Sequence, residues 1–252
     1  SGADIYIYRQ EYQRLEHIFK DYEGVRTNYA ETLRKTGLDE ELLIQLGKWF
    51  SAVQTFADEF DNVQTIDNGT LLEFNNGSLK VIHTPGHTIG SIVLYDKDEK
   101  ILFSGDTLLE HITPNAFNIL PEESGGLKNY LHTLQNIRNM QITKVLPGHD
   151  APFNNYREII DRYVAFYEKR KDKILEIIRR YEIRNTKYEI RNTKYEGGQT
   201  IIEIVKNLFG ELSVLETFLA VSEVMGYIEI LKDENLIRVT EENGLLKVTA
   251  NH

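Results

Sequence analysis

The chain has 252 residues, of which 41% are hydrophobic, and a net charge of -10 at neutral pH. This composition is typical of a packed protein rather than of a disordered chain, while the acidic balance argues against non-specific attraction to nucleic acid or an anionic membrane. The absence of cysteine excludes disulfides and thiolate metal sites, so any metal must be held by histidine and carboxylate side chains.

No segment approaches the roughly 20 apolar residues that span a bilayer, and the first residues do not form a signal peptide. We therefore expect a soluble, cytoplasmic protein. Residues 4–8 alternate as in a strand, and a helical pattern follows. Residues 25–60 predict a helical insertion in which Gly37 ends one helix and Asp39 caps the next. Its aromatic side chains either pack the helices together or form a lid over substrate: Tyr29, Trp49 and Phe50.

The middle of the chain predicts a β-meander followed by an α/β crossover. Short strand-like segments separated by Asn-Gly and other polar turns indicate the meander. They are residues 63–66, 71–74, 79–84, 91–96 and 100–106. A helical stretch at residues 127–140 then leads to another strand at 144–149, which indicates a layered α/β structure.

A long amphipathic helix is predicted over residues 156–180, and two copies of YEIRNTK follow it. We interpret residues 181–197 as a linker or a helix extension, because a coiled-coil seam needs more repeats. Residues 198–252 predict two helices and a hairpin with Asn243 and Gly244 at its turn, which resembles a winged-helix domain of the α+β class. From residue 196 onward, four basic residues stand against ten acidic ones, so we expect this part to form a homodimer contact or to support a lid rather than to bind nucleic acid.

Three motifs place metal-binding side chains just after apolar strands: HTPGHTIGS (83–91), LFSGDTLL (102–109) and VLPGHD (145–150). Strand ends are rigid, while the loops beyond them can carry polar groups. Pro-Gly turns present His87 and His149, and Gly105 lets the chain bend at Asp106. Two imidazoles and a carboxylate suit Zn²⁺, Mn²⁺ or Fe²⁺, and a single carboxylate can bridge two ions.

These motifs resemble the later metal-binding motifs of the metallo-β-lactamase superfamily, in particular its glyoxalase II-like branch with a C-terminal winged helix. The resemblance implies an α/β fold in which residues 1–180 form the C-terminal part of an αββα sandwich. It also implies that His87 and His149 bind different metal ions, in a site that holds two zinc ions in its complete form, with Asp106 bridging them. The implied activity is hydrolysis of a small thioester, ester or lactone by a metal-activated water.

The sequence departs from the superfamily at its first motif, H-x-H-x-D-H, since no H-x-H occurs and His17 is the only histidine before His83. In the family that motif supplies most ligands and the aspartate that orients the water, so no catalytic residue is assigned here. We expect a fragment of a longer protein; a truncated gene product or one half of an assembly are the alternatives. A catalytically inactive scaffold protein and a nuclease of the same superfamily are the competing functions, and the acidic composition disfavours the nuclease.

The remaining polar residues near the motifs have less specific roles. His111 closely follows Asp106 and either contacts substrate or is polar for solubility alone. His83 is expected to pack at a strand end, with support of the metal site as the alternative. Thr84 is expected to hydrogen-bond within its own turn.

Overall fold

A computed structural model describes residues 4–54, 63–74, 77–116, 126–189 and 197–251. In chain order the elements are β1 (Ile5–Tyr8), α1 (Arg9–Lys20), α2 (Tyr22–Lys35), α3 (Glu40–Gln54), β2 (Val63–Ile66), β3 (Leu71–Phe74), β4 (Gly77–His83), β5 (Ile92–Asp96), β6 (Ile101–Gly105), α4 (Gly126–Arg138), β7 (Lys144–Pro147), α5 (Tyr156–Glu189), β8 (Gln199–Thr200), α6 (Ile201–Phe209), α7 (Val214–Asp233), β9 (Ile237–Glu242) and β10 (Leu245–Ala250). Within the described ranges, no helix is both long enough and apolar enough to cross a membrane.

The chain divides into two compact units. The first consists of Ser1–Tyr22, Asp58–Phe117 and Gly125–Ala165. The described residues of the second are 23–54, 166–189 and 197–251. The division into domains that the sequence suggests, at residues 180 and 198, stays a prediction.

The first unit contains a five-stranded sheet with the order β3-β4-β5-β6-β7. Strands β3 to β6 pair antiparallel in the predicted meander, and β7 pairs parallel with β6 after the crossover through α4. The placement of residues 63–66 in this meander is wrong, because β2 pairs parallel with β1 in a separate two-stranded sheet. A turn from Asp67 to Thr70, with Gly69 at φ +88°, redirects the chain between β2 and β3.

The core of the first unit is formed by buried apolar side chains of the five-stranded sheet, of α4 and of the first part of α5. On α4, Tyr130, Leu134 and Ile137 follow the i, i+4, i+7 spacing of one helix face, and all three are buried. Burial of each such side chain contributes roughly 1.5–3 kcal/mol. A bidentate ion pair between Arg138 and Asp161, with its shorter contact at 2.7 Å, connects α4 to the first part of α5.

In the second unit, local turn chemistry places the helix ends where the sequence predicts them. Gly37 has φ +94° after α2, and the Asp39 carboxylate accepts from the Leu42 N–H at 2.9 Å to cap α3. Both α6 and α7 begin with a capping box, which satisfies their first free N–H groups. The hairpin of β9 and β10 turns at Asn243 and Gly244, both with positive φ, and β8 pairs on the other edge of β10.

The aromatic side chains of the helical insertion pack against one another. The Phe50 ring lies 5.1 Å from Trp49, 6.4 Å from Tyr29 and 5.2 Å from Phe218 between centroids. The packing interpretation is therefore confirmed for Phe50. Trp49 keeps 42% of its surface exposed.

Helix α5 is longer than the sequence predicts, since it continues past Arg180 to Glu189. The first YEIRNTK copy is therefore helical. Within it, Glu182 is buried and its Oε1 accepts from the Ala250 N–H at 2.6 Å. The predicted linker at 181–197 is thus a helix extension in its first half, and residues 190–196 lie outside the described residues.

Candidate metal centre

His87, Asp106 and His149 lie at one edge of the five-stranded sheet. Strands β4, β6 and β7 run in the same direction, so their carboxyl ends meet at that edge. Asp106 Oδ2 lies 3.9 Å from His87 Nε2, and Asp106 Oδ1 lies 3.4 Å from His149 Nε2. The three side chains are partly open to solvent, with 36%, 44% and 70% exposed in chain order. Each carboxylate oxygen therefore faces a different imidazole.

These separations fit two metal ions that share Asp106. Zinc ligands lie roughly 2.0–2.2 Å from the ion, so two ligand atoms on one tetrahedral ion are about 3.4 Å apart. The two observed separations are at or slightly above that value. In the described part of the chain, no three His, Asp or Glu side chains are grouped closely enough to hold a single ion. The residues thus form two ligand pairs rather than one closed site, and a complete centre needs further donors.

A backbone carbonyl fixes the orientation of the His87 ring. His87 Nδ1 lies 2.8 Å from the Asn115 carbonyl oxygen, which can only accept, so Nδ1 carries the proton. In the neutral imidazole, Nε2 then has a lone pair on the side of Asp106. This is the usual arrangement of a histidine that binds metal.

The turns that carry Asp106 and His149 are joined through their backbones. The Gly148 N–H donates to the Gly105 carbonyl at 2.9 Å. This bond links the two glycines that directly precede Asp106 and His149. Asp150, directly after His149, has φ +70°, an uncommon value for a residue with a side chain. The prediction that Pro-Gly and Ser-Gly turns bring these ligands together is in accord with the distances.

The loop after Asp106 is held by side chains of α5. The Tyr163 hydroxyl lies 2.6 Å from the carbonyl oxygens of both Leu109 and Ile112, and Arg162 donates to the Glu110 carbonyl. Burial raises the pKa of Tyr163 to about 12, so it stays a neutral donor. This loop begins at the candidate ligand Asp106 and ends at Asn115, whose carbonyl oxygen contacts the candidate ligand His87.

The structure does not bring His111 to the three ligands. Its side chain is 69% exposed, and its Nε2 lies 3.6 Å from the carboxylate of the neighbouring Glu110. Among the contacts described for His111, none reaches His87, Asp106 or His149. A contact with substrate stays a prediction.

His83 and Thr84 both help to hold the His87 turn. The His83 ring stacks on Tyr8 at 4.2 Å between centroids, and its Nε2 bonds the Ile89 carbonyl at 2.8 Å. The packing role predicted for His83 is confirmed. Thr84 bonds within its turn as predicted, through its N–H to the Ser91 carbonyl, but its hydroxyl reaches outside the turn to Thr107.

Glu11 lies near the site, although no sequence motif singles it out. Its Oε2 accepts from the Gly90 N–H at 2.9 Å, and its Oε1 pairs with Arg14 at 3.1 Å. Only 16% of this side chain is exposed. The contact joins α1 to the His87 turn across 79 residues, and no local sequence pattern reports such a pairing.

Comparison with known proteins gives three kinds of similarity. A family model described as the metallo-beta-lactamase superfamily matches residues 15–149, more than half of the chain. A beta-lactamase-like protein 2 homolog from Caenorhabditis elegans is 31% identical over 117 residues, which is 46% of this chain and 37% of that protein. The human acyl-coenzyme A thioesterase MBLAC2 is 35% identical over 96 residues, 36% of this chain and 33% of that protein.

A crystal structure of a metallo-beta-lactamase family protein from Thermus thermophilus superimposes with a TM-score of 0.77 at 20% identity. The match covers 99% of this chain and 72% of that one, and it shows a shared fold. The chain spans less than half the length of the two relatives above.

Proposed function

The chain belongs to the metallo-beta-lactamase superfamily, and we propose that it contributes half of a two-metal centre to a hydrolase. The observation that carries this proposal is the position of Asp106, whose two oxygens face the imidazoles of His87 and His149 separately. Relatives in the superfamily are hydrolases, and members of it bind metal ions. We infer that zinc is the metal, because imidazole and carboxylate ligands suit it.

In this proposal each residue has a separate task. His87 and His149 each bind one ion through Nε2, and Asp106 spans both. When bound, the metal supplies a water that ionises near neutral pH and polarises a carbonyl oxygen. The remaining ligands and the aspartate that orients the water come from outside these 252 residues, because the sequence has no H-x-H.

We propose a small thioester as the substrate class. The support is the human relative, which is named as an acyl-coenzyme A thioesterase and is 35% identical over the matched region. Hydroxyacylglutathione thioesters, esters and lactones are the related substrates to compare. The complete protein should hydrolyse thioesters faster than lactones or RNA. A preference for RNA would instead support the nuclease.

Zinc binding by the purified chain tests the metal centre directly. We expect weak binding, because each ion finds only two of these ligands in the chain, and we expect it to be lost in His87→Ala, Asp106→Ala and His149→Ala. His132→Ala is the matched control, because His132 is exposed on α4 and belongs to none of the three motifs. If the three variants bind zinc as well as the control does, the proposed centre is wrong and the inactive scaffold becomes the better hypothesis.

For the C-terminal part, we propose a winged-helix domain that forms a homodimer, in a cytoplasmic protein. The support is the order of β8, α6, α7, β9 and β10, with the first strand paired to the last. Its excess of acidic residues disfavours phosphate binding. Light scattering during size-exclusion chromatography should give twice the monomer mass, and the mass of a single chain would contradict the homodimer.

A further inference from the structure

Tyr130 on α4 lies directly against the turn that carries His87. A Cβ at Gly86 would lie 2.4 Å from Tyr130 Cβ and 2.7 Å from its Cα, so only glycine allows the helix to approach this closely. One turn further along α4, the Thr133 hydroxyl donates to the Pro85 carbonyl at 3.0 Å. The helix therefore holds the two residues that precede His87.

The same tyrosine also reaches the turn that carries Asp106. Its hydroxyl donates to the Thr107 carbonyl at 2.8 Å, and the residue is fully buried. Thr107 directly follows Asp106, and its own hydroxyl lies 3.1 Å from the Thr84 hydroxyl on the other turn. The two ligand-bearing turns are thus joined twice, and in one case through a single rigid ring.

We propose that Tyr130 is a positioning residue that sets the separation of His87 from Asp106. Its backbone end fixes Gly86, and its hydroxyl end fixes Thr107, so the length of the tyrosine side chain becomes the spacer between the two turns. Because sites for metal require ligand positions accurate to a fraction of an ångström, a spacer of fixed length suits this task. The inference rests on the proposed metal centre, because an effect of Tyr130 on metal binding requires that centre. The contacts of Tyr130 with the two turns do not depend on it.

Tyr130→Phe tests the proposal, because it keeps the ring and its contact with Gly86 and removes only the bond to Thr107. The matched control is Tyr156→Phe, a buried tyrosine of the same unit whose hydroxyl donates to the Met140 carbonyl at 2.6 Å. Each variant loses one hydrogen bond from a buried tyrosine to a backbone carbonyl, so each should lose some stability. Only Tyr130→Phe should affect the ligands.

Two measurements separate positioning from general weakening. In the metal-free chain, ¹⁵N-labelled histidine spectra at fixed pH should show shifted imidazole resonances for His87 in Tyr130→Phe and unchanged ones in Tyr156→Phe. Titration with Zn²⁺ should show affinity reduced about tenfold or more in Tyr130→Phe alone, the size typical for loss of a residue that supports a ligand. The His87→Ala variant identifies the His87 resonances.

The outcomes are distinct. Unmoved His87 resonances in Tyr130→Phe, or equal movement in Tyr156→Phe, would overturn the role of Tyr130. If the wild-type chain alone binds no Zn²⁺, its two ligand pairs do not suffice without the missing donors, and the metal-free spectra alone decide the role of Tyr130. If Tyr130→Phe does not fold, replacement of Tyr130 by 4-fluorophenylalanine takes its place, since that side chain fills the volume of the hydroxyl but cannot donate to Thr107. That variant should shift the His87 resonances in a folded chain, and an unchanged spectrum would count against the proposal.

Discussion

Gly148 approaches Asp106 so closely that a Cβ at position 148 would lie 2.8 Å from Asp106 Oδ1. That oxygen is the one that faces His149 at 3.4 Å. The glycine before His149 therefore does more than form a tight turn. It leaves the space that the Asp106 carboxylate occupies next to His149.

Gly148→Ala should therefore weaken zinc binding without unfolding the chain. The added methyl displaces the Asp106 carboxylate, and we expect affinity for Zn²⁺ to fall about tenfold or more. Isothermal titration measures it. Gly47→Ala is the matched control, because a Cβ there meets no atom within 4 Å and position 47 lies within α3. The control should bind zinc normally and gain about 0.5–1 kcal/mol in free energy of unfolding. Equal zinc affinity in both variants would contradict the role of Gly148.

Glu11→Ala should loosen the His87 turn from α1. The variant loses a charged acceptor for the Gly90 N–H, and we expect the free energy of unfolding to fall by about 1–2 kcal/mol. Urea denaturation followed by circular dichroism gives this value. Glu16→Ala removes a carboxylate from the same helix, but one that is 43% exposed and pairs only across one helical turn with Lys20. We expect a change within about 0.5 kcal/mol for that control. If Glu11→Ala and Glu16→Ala lose similar stability, the effect comes from removing a negative charge from α1 and not from the bond between Glu11 and Gly90.

The sequence predicts the parts of this fold that depend on local chemistry. The cap at Asp39, the turn at Asn243 and Gly244, and the strands before each ligand all follow from residues within a few positions of each other. The candidate ligands can be identified in the same way, because each follows its own strand. A motif can therefore be placed at a strand end without knowledge of the strand's partners.

Contacts between distant segments could not be predicted. The pairing of β2 with β1 depends on which strand edge is free, and the four residues Val63–Ile66 suit the meander equally well. The spacing of Tyr130 with Leu134 indicates only a buried helix face. The contacts of Tyr130 with Gly86 and Thr107 come from the packing of α4 on the sheet. The sequence indicates that Gly86 is a turn residue, but not that the helix beside it also requires a glycine.

Tyr163→Phe should reduce stability at neutral pH and change its dependence on alkaline pH. The pKa of Tyr163 is raised by burial to about 12, above the value near 10 of an unfolded chain. Its contribution is therefore fully present below pH 10 and is lost as the pH rises toward 12. At pH 7 we expect the free energy of unfolding of the wild type to exceed that of the variant by about 1 kcal/mol. This difference should shrink between pH 10 and pH 12. Tyr6→Phe, at a tyrosine with 44% exposure, should leave stability at pH 7 unchanged. A constant difference between wild type and Tyr163→Phe from pH 9 to 12 would contradict this prediction.

Glu223→Gln should stabilise the second unit at neutral pH. Burial raises the pKa of Glu223, and the nearby Arg170, 3.5 Å away, only partly opposes that effect. The Oε1 atom of Glu223 is buried without a hydrogen bond, as is the hydroxyl of the nearby Tyr227. A raised pKa means that the contribution of this group is favourable below the pKa of the unfolded chain and is lost as the pH rises through that of the folded chain.

The neutral amide of the variant does not titrate. The free energy of unfolding of Glu223→Gln should therefore exceed that of the wild type by about 1 kcal/mol at pH 7, and the two should be similar near pH 4. Arg170 keeps its positions over the rings of Phe166 and Phe209, which limits the cost of losing its charged partner. Urea denaturation of the whole chain at pH 4 and pH 7 measures the difference, with Glu211→Gln as the exposed control on the same unit. A variant that is less stable than the wild type at pH 7 would show that the ion pair with Arg170 outweighs the burial of the carboxylate.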